Sequence, residues 1–243
     1  MPRRACDAAG AHKQVASTGI PARRRRMKWQ WLVAPGSAIY LVPLVLLAGA
    51  AVVLRDRSAT RAVLRWWAAV AGVCLLVAAS KIAFYGWGTG VRAWDLTCFS
   101  GHTALSLAVW PVVLMLLAPQ DRPGWRATAA LAGTAFAGLI GYSRIPLGAH
   151  PVSEVIAGLL LGGLGAALGL RAMWRRSLHG TFLPAVVFAI GVSVVLPPDR
   201  VVAFSSEKWF KKIGTAPAGT ERPYSRKKWR LVTVTTTSRG LHM

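Results

Sequence analysis

Four polar residues stand close together in the stretch Gly141–Gly158: Ser143, Arg144, His150 and Glu154. They fall at the seam between two long apolar runs, where charge is otherwise scarce. If the second run begins its helix near Ala149 or His150, Glu154 lies one turn on, beside His150 on the same face. A carboxylate there can accept an imidazole N–H, fix the tautomer and leave the other ring nitrogen bare and nucleophilic. Arg144, on the connecting loop, offers a planar fork suited to phosphate oxygens. Taken alone, the stretch could equally be an ordinary polar loop between membrane helices.

A second stretch bears on that choice. Ser100-Gly101-His102 opens the third apolar run, where a glycine admits close backbone approach and free N–H groups at a helix start bind anions. Lys81 sits near the end of the second run, where an ammonium is costly in lipid unless it faces a polar site. Lys81, Arg92 and Arg144 with the two histidines describe an anion pocket. One imidazole would attack phosphorus and the other would protonate the departing oxygen.

The elements that must position these groups follow from composition. The chain has 243 residues, 54% of them hydrophobic, and 30 Lys+Arg against 8 Asp+Glu. Its mean hydropathy is +0.43. Six apolar runs, at about 35–54, 66–85, 103–118, 127–142, 152–173 and 182–196, approach the roughly 20 residues a bilayer crossing needs, the last being short. The expected fold is all-α: a polytopic membrane bundle of about six transmembrane helices in one domain, 31–198. Residues 1–30 form a basic leader and 199–243 a basic tail that either lies on anionic headgroups or is solvated. A native start at Met27 is favoured, because four consecutive arginines at 23–26 fit poorly outside the membrane. The glycines at 158, 162, 163 and 165 allow close helix contact.

Basic residues cluster in the loops after the first, third and fifth runs, whereas the loops after the second and fourth hold only Arg92 and Arg144. Positive loops mark the cytoplasmic side, so both candidate stretches are expected on the outer face. The same distribution argues for topology rather than nucleic-acid binding. Cys6, Cys74 and Cys98 suggest neither a disulfide framework nor a metal site.

These residues resemble the type 2 phosphatidic acid phosphatase family, which includes bacterial lipid phosphatases, glucose-6-phosphatase-like enzymes and vanadium haloperoxidases. SGH at 100–102 and SR-x5-H-x3-E at 143–154 are similar to its PSGH and SR-x5-H-x3-D patterns. The resemblance spans roughly Lys81 to Gly165. Phe99 stands where the family has Pro, and Glu154 where it has Asp. Lys81 matches the Lys of an upstream K-x6-RP pattern, but no RP follows at that distance. Arg92 is the nearest arginine, four positions late, with Asp95 close enough to pair with it.

The resemblance implies His150 as the nucleophile that forms a phosphohistidine, Glu154 as its orienter, and His102 as the acid that then activates water. Lys81, Arg144, Ser100 and Gly101, with Arg92 in addition, would hold the phosphoryl oxygens. It implies no metal and no other cofactor. It also implies an integral membrane phosphatase acting on a lipid phosphate or pyrophosphate, in contact with membrane lipids, in a bacterial inner membrane with the site facing the periplasm or exterior. A non-enzymatic anion carrier or channel, and a phosphotransferase to an acceptor other than water, stay open as alternatives; haloperoxidase chemistry is more distant.

Overall fold

The computed structural model describes residues 29–179, 206–227 and 229–230. Six helices lie among them: α1 (Ala38–Arg55), α2 (Thr60–Trp87), α3 (Gly101–Leu117), α4 (Pro123–Ser143), α5 (Val152–Met173) and α6 (Ser206–Ala218). Single 3-10 turns precede α1, join α1 to α2 and interrupt the α2–α3 connection. No strand occurs among the described residues, and Val91 and Leu96 form an isolated bridge. The all-α class is as expected. The leader and the run 182–196 lie outside the described residues. The sixth helix described is therefore α6, from the stretch set apart above as the tail.

α3 is apolar on every side, and its residues from Thr103 to Val113 are all buried. A helix with no polar face belongs at the centre of a bundle. α4 and α5 flank it closely, and α2 packs against α5 and α3. The close approach of α5 is a matter of missing side chains. Gly158, Gly162, Gly165 and Gly169 repeat at helical spacing on the face toward α2 and α3, and a Cβ on Gly162 would stand 2.4 Å from the Ala104 carbonyl oxygen. Gly163, by contrast, meets only Leu107, at 3.8 Å. On the other flank a Cβ on Gly141 would come within 2.8 Å of Thr103 Cγ2. These contacts bring the last turn of α4 and the first turn of α5 against the start of α3, where the candidate residues lie.

Three described segments are long and apolar enough to cross a bilayer: Ala38–Arg55, Arg57–Trp87 and Val152–Met173. α3 is apolar but has 17 residues. α4 has the length but, rich in Ala, Gly and Thr, falls short in hydropathy. Leu46, Leu47, Leu75, Leu131, Leu160 and Leu164 point outward, giving the bundle an apolar shell.

Candidate active site

Arg144 and His150 are brought together by a tight loop. α4 stops where Ser143 turns its hydroxyl onto the Ile140 carbonyl, at 2.6 Å. The chain then reverses through Gly148, whose φ of 68° is left-handed. The N–H groups of Ala149 and His150 both return to the Arg144 carbonyl, at 3.0 and 3.3 Å. The five residues between Arg144 and His150 are this loop. α5 begins at Val152, where the fifth apolar run was placed, rather than at the conditional start of 149 or 150, because Pro151 disfavours helical geometry in the residue before it. His150 nevertheless reaches one turn down: its Nδ1 lies 2.5 Å from Glu154 Oε2.

Glu154 is fully buried. Its Oε1 accepts the N–H groups of Thr97 and Cys98, at 3.2 and 3.4 Å, and the Thr97 hydroxyl. The methylene that distinguishes Glu from Asp is thus used to span from the 97–98 backbone to His150. With Oε2 as acceptor, His150 carries its proton on Nδ1, and Nε2 keeps its lone pair. Burial pushes the His150 imidazole below its ordinary pKa, against the opposing pull of the Glu154 hydrogen bond and charge.

The start of α3 lies opposite. Ser100 is buried; its N–H goes to the Glu154 carbonyl at 3.2 Å and its hydroxyl shares a hydrogen bond with Thr103 at 2.8 Å. The first α3 ladder bond is donated by Ala104, so the N–H groups of Gly101, His102 and Thr103 have no acceptor within the helix. Phe99, at the family's proline position, donates its N–H to Ser80 Oγ at 3.2 Å.

One cavity of about 600 Å³ gathers Lys81, Gly101, His102, Arg144 and His150. His102 Nε2 is buried with no hydrogen-bond partner. Arg144 is 4% exposed, and the hydrogen bonds of its guanidinium among the described residues go to Ser143 Oγ alone, at 3.3 and 3.1 Å. Burial lowers its pKa to about 10, which leaves it charged at neutral pH. Val33, Ile39, Val73 and Val77 line the same cavity, so its wall carries apolar side chains as well as the cations.

Two expected ligands stand elsewhere. Ser100 lies beneath the cavity rather than on it. Arg92 is exposed on its 3-10 turn, its guanidinium carbon 5.5 Å from the centroid of the Trp229 ring, and is not brought to the cavity. Asp95 pairs with Arg230, Nε to Oδ1 at 3.0 Å.

Sequence reasoning missed two residues of the tail. Glu207 on α6 lines the cavity, pairs with Lys81 and accepts the Tyr85 hydroxyl. Burial works to raise its carboxyl, but Lys81 and Tyr85 outweigh that and hold it below the usual carboxylate range. Arg226 reaches behind His150 and donates to Glu154 Oε2 at 2.5 Å. The segment is anchored on α2: Gly214 crosses Gly86 with no room for a Cβ on either, and the Tyr224 N–H donates to the Tyr85 carbonyl at 3.0 Å. Only the rarity of acids hinted at Glu207, and nothing marked Arg226 among the other basic residues.

The chain belongs to the PAP2 superfamily, whose family model matches residues 88–178, a span that holds His102, Arg144, His150 and Glu154. Its relatives include an uncharacterized 22.5 kDa protein in the cps region of Klebsiella pneumoniae. The two are 44% identical over 205 residues, covering 82% of this chain and 96% of that protein. Glucose-6-phosphatase 3 of Rattus norvegicus is 36% identical over 102 residues, covering 40% of this chain and 30% of that protein. No solved structure matches. Family membership supports a phosphatase-type function, and with the apolar helices it makes this an integral membrane protein.

Proposed function

We propose that the protein hydrolyses a phosphomonoester or pyrophosphate borne by a lipid, through a phosphohistidine and without a metal ion. The observation that carries the reading is the His150–Glu154 pair, 2.5 Å apart, facing His102, Lys81 and Arg144 across one cavity. His150 Nε2 attacks phosphorus, and the bond to the leaving oxygen breaks as His102 gives that oxygen a proton. His102 then takes a proton from water, which attacks the phosphohistidine and releases phosphate and free His150. Lys81, Arg144 and the N–H groups opening α3 stabilise charge on the phosphoryl oxygens.

A lipid substrate suits a cavity whose wall carries both cations and apolar side chains. The distribution of arginines among the loops favours a site on the outer face of a bacterial inner membrane. The test is phosphate release from a panel of lipid phosphates and pyrophosphates by the full chain in detergent, with EDTA present. Turnover is expected from the wild type and none from His150→Ala folded to the same helical content; full turnover by that variant would overturn the assignment.

A further inference from the structure

Arg226 approaches the nucleophile from the side away from the cavity. Nη2 lies 2.5 Å from Glu154 Oε2 and 3.2 Å from His150 Nδ1. Nη1 donates to the Ala149 carbonyl at 2.8 Å, and Nε to Thr97 Oγ1 at 3.3 Å. Cys98 Sγ is 3.9 Å from Nη2. One guanidinium therefore touches the carboxylate, the imidazole, the backbone just before the imidazole and the threonine that also holds the carboxylate. A planar fork of fixed charge is suited to that task in a way an ammonium is not. We propose that Arg226 is a positioning residue for the His150–Glu154 pair, an inference that rests on reading His150 as the nucleophile.

The role has two parts. The first is geometric: Oε2 is shared between Arg226 and His150, so the guanidinium fixes where the carboxylate sits and hence the direction of Nε2. The second is electrostatic. Glu154 alone would favour the imidazolium, which cannot attack phosphorus. A cation beside Nδ1 opposes this and keeps the ring neutral to lower pH. The other groups facing His150 are Lys81 from α2, His102 from α3, Arg144 from the connecting loop and Glu207 from α6. Arg226 differs from those cations in touching the ring and its carboxylate together. It is also unlike the arginine of the family's upstream pattern, because it lies behind the nucleophile and not on the phosphate side.

The test reads His150 directly. Diethyl pyrocarbonate acylates neutral imidazole, and peptide mass spectrometry of the full chain in detergent gives the pH midpoint for His150 alone. Arg226→Gln is expected to raise that midpoint by about one pH unit and to lower kcat about tenfold at pH 6 with KM little changed. Arg226→Lys, which keeps the charge but loses the fork, is expected to hold the midpoint while lowering kcat about tenfold. An unmoved midpoint in folded Arg226→Gln would overturn the proposal even if turnover fell, since a purely structural role predicts that result. Should Arg226→Gln not fold, Arg226→Lys decides: unchanged kcat overturns the proposal. A raised midpoint in a protein that releases no phosphate from any substrate would sink the phosphatase reading and leave the positioning role standing.

Discussion

Arg126 and Arg144 stand at opposite ends of α4, and both are buried, at 1% and 4% exposure. They are satisfied in opposite ways. Arg126 reaches the ends of α3 and α5 and donates to the carbonyls of Ala118, Met173, Trp174 and Arg176, at 3.2, 3.5, 2.7 and 2.6 Å. Those carbonyls carry the negative end of two helix dipoles. Its guanidinium also lies 5.7 Å from the Trp174 ring centroid, and Nε alone is left over. Arg144 has one hydroxyl and a cavity. Desolvating a cation costs several kcal/mol in either case. At one end the protein returns that energy through its own carbonyls; at the other the guanidinium lines the cavity, with Ser143 Oγ as its hydrogen-bond partner among the described residues. The contrast separates a cation that closes the fold from one that, under the proposed function, would hold a phosphoryl group.

Removing each arginine tests the contrast most strongly. Arg144→Ala is expected to lower kcat/KM by about 10²–10³-fold, the loss typical of one donor to a charge that develops in the transition state. Its thermal midpoint in detergent should stay level or rise, because an under-satisfied buried charge is gone. Arg126→Met should show the reverse: a loss of about 1–3 kcal/mol in stability as the buried carbonyls lose a shared donor, with kcat per folded molecule unchanged. Denaturant unfolding and assays on the same preparation check both, and similar profiles for the two variants would dissolve the distinction.

Glu207→Gln sharpens the site end of the comparison. It frees Lys81 from a charged competitor and should lower KM about threefold to tenfold with kcat little changed. The smallest effect is expected from Arg92→Ala, less than about twofold in kcat/KM, because Arg92 lies outside the cavity against Trp229.

Arg144, His150 and Glu154 were legible as neighbours because their spacing is local, whereas His102, 48 positions before His150, stood out through the SGH stretch that opens its helix. A tight loop and one helical turn convert positions 144, 150 and 154 directly into neighbours. The α5 glycines were legible as a close-packing face, although Gly163 does not take part and Gly169 does. The tail was not. Arg226 meets Glu154 across 72 positions of sequence, and its neighbours Lys227 and Arg230 are basic as well. Composition reads such a run as solvated, and only the docking of 206–230 on α2 singles out the member that turns inward. Arg92 illustrates the converse. Sequence proximity to the family's arginine made it a candidate, and a 3-10 turn with a left-handed Asp95 carries it to the surface.

The Lys81–Glu207 pair means that the resting cavity already contains an anion. Under the proposed function, a phosphoryl group arriving at Lys81 would meet a carboxylate in place, so that capture would be an exchange of one negative partner for another. Glu207 sits on a helix whose other contacts hold the 206–230 segment to α2, which ties occupancy of the lysine to the hold on that segment. Under the proposed function the two would be reciprocal: whatever loosens α6 would favour an incoming phosphate, and a bound phosphate would weaken the hold on α6 by the same factor.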